Sequence, residues 1–316
     1  MVKLLDYFLI ALVRAYQLFT FYNIKRIFES TLFIVLVTGL VFFAKNDVFK
    51  FLFAYLIAGI ISFTIMLYYI YRKNSQKLGQ YSFKTDTLRK LITFGFKSYI
   101  QNLTGFLNYQ ISIFILAYSL DTWNVGIFSV AVSIAAMVLF IPDTIGTVLL
   151  PFLSSKRNDS DIHKSTAAII RNIVIVLIPG ILVFSIFGKL IISYLYGSNY
   201  SASYYPMLFI LIGVAFLSIY KILTRNFTSR NKQHLTIIVT TLTLCVNIIL
   251  NIVLIRFWGI YGAVLSSTFS FILLGLLLLS IFKKESGLSF KSILILKRED
   301  IIVFKNIVFK FKPKVV

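Results

Sequence analysis

Long apolar runs, separated by short basic connectors, constrain this chain more than any other feature of its sequence. Runs of about 20 residues have the length that an α-helix needs to cross the hydrocarbon core of a bilayer. Hydrophobic residues make up 59% of the chain and charged residues 14%, and the mean hydropathy is +0.89. Lipid offers the backbone no hydrogen-bond partners, and the runs are too long for barrel strands. The sequence therefore predicts an all-α, multi-pass membrane protein.

The apolar runs and the charges that bound them predict nine transmembrane helices. Their expected limits are 4–22, 27–44, 49–71, 95–119, 123–148, 167–188, 204–224, 235–256 and 259–282. The first span is the least regular because it carries Asp6 and Arg14, and charged side chains are expensive at membrane depth.

Basic residues alternate between rich and poor connectors along these spans. Rich connectors follow the first, third, fifth and seventh spans, beginning with Lys25 and Arg26, and the tail after the ninth span is basic throughout. The other connectors hold few cations, such as Lys189 and Arg256. By the positive-inside rule, the rich connectors and the C-terminus are cytoplasmic and the N-terminus lies outside.

An outside N-terminus is unusual for a chain whose first residues lack the features of a signal peptide. Three further helices would start the protein in the cytoplasm and bring the total to twelve. We therefore expect this sequence to be an N-terminally truncated chain. The alternative is that Met1 is the natural start and that the first span lies in the membrane interface.

The basic connector at residues 72–94 is the longest and has three spans before it and six after it. Transporters commonly consist of two related repeats. The sequence therefore predicts the last three helices of an N-terminal lobe (1–71), a cytoplasmic linker (72–94), a six-helix C-terminal lobe (95–284) and a basic cytoplasmic tail (285–316). The tail mixes Lys with apolar residues, so we expect it to contact anionic membrane lipids.

The net charge of +21 does not indicate a nucleic-acid partner, because most cations lie in connectors between apolar runs. The single cysteine, Cys245, lies in an apolar run, and His163 and His234 are expected in separate loops. No disulfide, metal site or cofactor is therefore predicted. The sequence holds no Gly-rich phosphate loop, nucleophile elbow or paired-carboxylate motif, which weighs against an enzyme.

Three stretches combine Gly, Pro and Asn landmarks with apolar sequence. They are GIFSVAVSIAAMVLFIPDTIGTVLLPFLS (126–154), YGSNYSASYYPMLFILIG (196–213) and NIILNIVLIRFWGIYGAVLSSTFS (247–270). They resemble the polysaccharide-transport branch of the multidrug/oligosaccharidyl-lipid/polysaccharide (MOP) exporter superfamily, which includes Wzx-type O-antigen flippases. The resemblance implies a MATE-like bundle of two six-helix lobes, with an incomplete N-lobe in this chain.

The resemblance also implies a function. Such proteins flip an undecaprenyl diphosphate-linked oligosaccharide, the repeat unit of a polysaccharide, across the bacterial plasma membrane by alternating access. The implied partners are the lipid-linked oligosaccharide and the polysaccharide polymerase machinery.

Two other functions stay open. A cation-coupled drug exporter of the same superfamily would need acidic residues in its cavity, and this chain has one convincing intramembrane carboxylate, Asp143, against several cations. A membrane-embedded oligosaccharide polymerase would need a substantial outer loop with catalytic groups. The longest predicted outer loop, near residues 189–204, contains no acid. The charge balance favours an anionic cargo.

Cations and amides at membrane depth are the candidates for binding a diphosphate, since burying a cation without purpose costs roughly 2.5–3.5 kcal/mol. The candidates are Arg14, Lys97, Gln101, Asn108, Lys221 and Arg225. Positions 97, 101 and 108 share one helix face, as residues that line a cavity would. A snorkelling lysine with interhelical hydrogen bonds explains the same spacing. The pair on the seventh span also fits the cytoplasmic end of a helix.

Asp143 is the candidate for ion coupling, because it follows Pro142 within a long apolar span. An intramembrane carboxylate can bind a proton or a sodium ion, or it can pair with Arg14 or Lys97. The alternative is that Pro142 ends the helix near an interface and that Asp143 is solvated.

Two further patterns are assigned to structure. Gly259, Gly262 and Ala263 form a small-residue patch at the start of the ninth span, and Asn247 lies one turn before Asn251 in the eighth. Close helix packing and interhelical hydrogen bonds explain both patterns without a ligand.

Single cysteines in a Cys245→Ser background test the predicted topology. On intact cells, cysteines at positions 3, 122 and 201 are expected to react with a membrane-impermeant thiol reagent, and a cysteine at position 82 is expected to be protected. Protection at position 3, with the other results unchanged, would mean that the first span does not cross the membrane.

Overall fold

The computed structural model describes residues 18–43, 48–74, 85–156 and 158–295, together with residues 6, 9, 10, 13 and 297. Every regular element in these residues is a helix, which confirms the all-α class. The chain divides into two compact units at Thr85. This boundary lies within the stretch predicted as a linker, and the assignment of the segments to lobes stays a prediction. Arg14 lies outside the described residues.

The first unit contains α1 (Phe19–Phe43) and α2 (Val48–Asn74), which pack against each other. The sequence places Lys25 and Arg26 in a connector, but both lie inside α1. The prediction of a connector at this position is therefore wrong.

Buried partners explain why Lys25 lies inside a helix. Its Nζ lies 2.6 Å from Asp6 Oδ2 and 2.7 Å from Glu29 Oε2. The hydroxyl of Ser62 on α2 donates to the same Glu29 oxygen at 3.3 Å. The side chain of Lys25 is only 4% exposed. Carboxylates, rather than water or lipid headgroups, therefore compensate its charge.

The described helices of the second unit begin at the unit boundary. They are α3 (Thr85–Ser119), α4 (Thr122–Ala136), α5 (Phe140–Ser154), α6 (Asp159–Tyr196), α7 (Tyr204–Ser229), α8 (Gln233–Trp258), α9 (Ile260–Ser286) and α10 (Phe290–Leu294). Helix α7 packs against α4, α5, α6 and α9, and α8 packs against α9. The hydrophobic core of this unit is therefore built around α7, with fully buried side chains such as Ile222 and Phe227.

Six segments among the described residues are long and apolar enough to cross a membrane. They are α2, the α4–α5 pair, α6, α7, α8 and α9. Helices also occupy most of the spans expected at 27–44 and 95–119, and most of the first expected span lies outside the described residues. The total of nine spans stays a prediction.

A 3₁₀ turn at Met137–Leu139 separates α4 from α5. Pro142 follows in the first turn of α5, and its ring nitrogen has no hydrogen to donate to the carbonyl four residues earlier. A tighter turn before the proline accommodates this missing bond. The same break puts Asp143 in the first turn of a new helix rather than in the middle of a continuous one.

Two glycines determine how α8 meets α9. Gly259 has φ of +53°, in the left-handed region where glycine has no side chain to clash. An added Cβ at Gly262 would overlap the carbonyl group of Leu254 in α8. The predicted small-residue patch therefore allows close contact between these helices.

Replacing Gly262 by Ala is expected to lower the free energy of unfolding by about 1–3 kcal/mol, because backbone atoms must move to admit the methyl group. Gly95→Ala in α3 is the matched control, since an added Cβ there has no neighbour within 4 Å. That variant is expected to be as stable as the wild type or more stable by up to about 1 kcal/mol. Unfolding in detergent measures both. Equal stability of the two variants would contradict the close packing.

Candidate functional site

A cavity of about 400 Å³ lies within the second unit, between α3, the α4–α5 segment and α7. Its walls combine apolar and aromatic surface with a small number of polar and charged groups. The polar and charged residues of this lining include Asn102, Tyr109, Asp143, Tyr220, Lys221 and Arg225. An apolar recess with a few convergent polar groups is the usual form of a small-molecule binding site.

Lys221 and Asp143 form an ion pair in the wall of this cavity. The Lys221 Nζ lies 2.7 Å from Asp143 Oδ1 and 2.6 Å from Oδ2. The side chains are 28% and 49% exposed, respectively, so the pair is accessible. The sequence suggests Lys97 as a partner of Asp143, but the break between α4 and α5 sets the carboxylate beside α7 instead. Ion coupling by Asp143 stays a prediction.

Arg225 follows Lys221 by one turn of α7 and lines the same cavity. An added Cβ at Gly146 of α5 would lie 3.3 Å from the Arg225 Nε, so the glycine makes room for the guanidinium group. Lys221 lies eight residues, or roughly 12 Å, before the end of α7. Its position therefore does not mark the end of the helix. Cargo binding by Lys221 and Arg225 stays a prediction.

Gln101 and Asn108 do not line the cavity. Both amides are buried. Gln101 Nε2 donates to Thr228 Oγ1 at 3.0 Å, and Asn108 Nδ2 donates to Thr243 Oγ1 at 2.7 Å. Lys97 lies one turn before Gln101 and does not line the cavity either. The structure therefore places these two amides in helix contacts, which is the alternative explanation of their spacing.

Asn108 lies at the centre of a row of hydrogen bonds that joins α3 to α8 and α9. Its Oδ1 accepts from Ser270 Oγ at 2.9 Å and from Asn247 Nδ2 at 3.2 Å. One turn along α3, Ser112 Oγ accepts from Ser267 Oγ at 2.7 Å. We name this row the polar seam, and its members are Thr104, Asn108, Ser112, Thr240, Thr243, Asn247, Asn251, Ser267 and Ser270.

The face of α3 that lines the cavity is displaced by one residue from the face that the sequence predicts. Asn102 and Tyr109 line the cavity, whereas Gln101 and Asn108 contact other helices. One residue corresponds to a rotation of about 100° around a helix. The residues of each pair are seven positions apart. This spacing shows that each pair shares a helix face, but it cannot show which face contacts other helices and which lines the cavity.

The histidines lie in helices rather than in the predicted loops. His163 lies near the start of α6, with its ring 5.4 Å from that of Phe282, and His234 lies at the start of α8. Within the part of the chain that the structure describes, no group of three or more His, Cys, Asp or Glu side chains could hold a metal ion.

The fold is similar to that of a MATE transporter. The crystal structure of a mutant of the Vibrio cholerae MATE transporter VcmN aligns with a TM-score of 0.73 and 14% sequence identity. The alignment covers 90% of this chain and 67% of that chain. At this level of identity the likeness defines the fold, which is that of a multi-pass helical membrane protein.

Comparison of the sequence with known proteins identifies the family. A profile described as polysaccharide biosynthesis protein matches residues 9–205, and the chain belongs to this family. The probable low-salt glycan biosynthesis flippase Agl15 of Haloferax volcanii is 26% identical over 203 residues. That match covers 63% of this chain but only 42% of the relative. These findings confirm the resemblance to the polysaccharide-transport branch of the MOP superfamily.

Replacing Asn108 by Ala is expected to lower the free energy of unfolding by about 2 kcal/mol, because several interhelical hydrogen bonds are lost together. Asn102→Ala removes the same amide from the cavity face of the same helix, and we expect a change of less than about 0.5 kcal/mol. Unfolding in detergent measures both variants. A larger loss at position 102 would mean that the two faces of α3 are assigned the wrong way round.

Proposed function

We propose that this chain acts in the transport of a lipid-linked oligosaccharide across a membrane. The family, the MATE-like fold and the flippase among its relatives support a transporter of the MOP superfamily. The observation that carries the choice of cargo is the pair of cations, Lys221 and Arg225, in the wall of a cavity between apolar helices.

The chemistry of the cavity suits a diphosphate attached to a glycan. Lysine and arginine side chains bind phosphate oxygens through charge-assisted hydrogen bonds. Asn102, Tyr109 and Tyr220 add donors and acceptors that can bind sugar hydroxyl groups. A long polyprenyl tail needs only apolar surroundings, which the bilayer supplies.

The family resemblance suggests the identity of the cargo, the membrane and the mode of transport. The cargo is an undecaprenyl diphosphate-linked repeat unit, the membrane is the bacterial plasma membrane, and the cargo crosses it by alternating access. Transport breaks no covalent bond, so we propose no catalytic residue. Polysaccharide polymerase machinery would use the product on the outer side.

Contact with anionic lipids is proposed for the end of α9 and for α10. Lys283 Nζ lies 4.2 Å from the centre of the Phe290 ring, and Phe290 is exposed. Lys284 and Lys291 are also exposed. Cations beside an exposed aromatic ring suit the interface between headgroups and acyl chains.

A cation-coupled drug exporter is the less favoured function. A cationic drug would need a carboxylate that is available for binding. The described lining of the cavity has one carboxylate, Asp143, and both of its oxygens contact Lys221. Two cations against one anion in the described lining favour a negatively charged cargo.

Replacing Lys221 or Arg225 by Met is expected to reduce flipping of a fluorescent polyprenyl diphosphate oligosaccharide in proteoliposomes by roughly tenfold, the effect of losing one charge-assisted hydrogen bond. Lys189→Met is the matched control, because Lys189 is exposed on α6 and does not line the cavity. The control is expected to keep the wild-type rate. An equal loss in all three variants would show that the effect comes from net charge rather than from the cavity.

A further inference from the structure

The ion pair in the cavity engages the ammonium group of Lys221, which an anionic cargo would itself need to bind. An ammonium group has three hydrogens to donate. In Lys221 two of them are directed to the oxygens of Asp143, at 2.7 and 2.6 Å. A phosphate that enters the cavity therefore meets a lysine with two of its three donors already in use.

The pair is nevertheless open to exchange. About half of the Asp143 side-chain surface and about a quarter of the Lys221 side-chain surface are exposed. Exposed ion pairs of this kind are weak, because water and a competing ion can replace either partner. The contact can therefore be displaced without dismantling the packed core around α7.

Tethering gives Asp143 an advantage over small anions. The carboxylate is part of α5, so its effective concentration at the ammonium group is much higher than that of a dissolved anion. The interaction free energy of a singly charged anion with Lys221 is about the same as that of the carboxylate. The dissolved anion, however, also loses translational entropy when it is immobilised in the cavity. A diphosphate brings more charge and more oxygens than a monovalent anion does, and a second cation, Arg225, lines the same cavity.

We propose that Asp143 is an internal competitor for Lys221, and that a multivalent anion such as a diphosphate displaces this carboxylate more readily than a monovalent anion does. This inference rests on the proposed function, because it assumes that the cavity binds an anionic cargo. It assigns to Asp143 a role in selecting the cargo by its charge.

Binding of inorganic pyrophosphate to the purified full chain in detergent, at constant ionic strength, tests this inference. Asp143→Asn is expected to bind pyrophosphate about threefold to fivefold more tightly than the wild type, the factor that corresponds to an exposed ion pair. The inhibition constant of dimethyl phosphate, which carries one charge, against pyrophosphate is expected to be about threefold to fivefold lower in this variant than in the wild type.

Three variants serve as controls. Asp143→Glu keeps the carboxylate and is expected to behave as the wild type. Asp143→Ser removes the carboxylate without the amide of Asn and is expected to behave as Asp143→Asn. Asp161→Asn removes an exposed carboxylate from α6, outside the cavity, and is expected to leave the affinity unchanged.

The possible outcomes separate this inference from the proposed function. If pyrophosphate binds to the wild type and binds more weakly to Lys221→Met, but no more tightly to Asp143→Asn and Asp143→Ser, the competitor role is wrong and the anionic cargo stands. If pyrophosphate binds to none of the variants, the anionic cargo fails and the competitor role fails with it. Tighter binding in Asp161→Asn as well would also overturn the competitor role, because net charge would explain it.

Discussion

The hydrogen bonds of Asn108 are the contacts on which the position of α3 in the second unit depends. This amide is buried, and it is hydrogen-bonded to residues of both α8 and α9. Lipid offers no alternative partner, so separating these helices would leave several polar groups unsatisfied. The polar seam therefore fixes the rotation of α3, and that rotation determines which of its residues remain to line the cavity.

Polar groups in the second unit serve two different purposes. Most of those that hold helices together are buried, whereas the ion pair of the cavity is accessible. The members of the polar seam are hydrogen-bonded to one another and hold helices together. Asp143 and Lys221 are paired but accessible, and their contact depends on the 3₁₀ turn that starts a new helix near Pro142. Charges at membrane depth are costly, so an accessible pair in a cavity is a stronger sign of function than a buried amide.

The sequence was sufficient to predict the helical class, the approximate positions of the helices in the second unit and the close contact at Gly262, because each depends on local composition. It could not predict the partner of Asp143, because the break between α4 and α5 sets that contact. It could not decide whether the face of α3 with Asn108 lines the cavity or contacts other helices, and Asn108 packs against α8. Lys25 was misplaced for a related reason: a charge within a helix resembles a connector unless its buried partners, Asp6 and Glu29, are known.

Photo-crosslinking with a polyprenyl diphosphate oligosaccharide tests the central claim most directly. A photoreactive amino acid would replace Asn102 in one variant and Gln101 in another, so the two probes differ by one residue on the same helix. The cavity described above predicts crosslinking of the lipid-linked oligosaccharide from position 102, lost on competition with unlabelled compound, and little from position 101. Crosslinking from position 101 but not from position 102 would contradict this account, because the cargo would then lie on the face that the polar seam occupies.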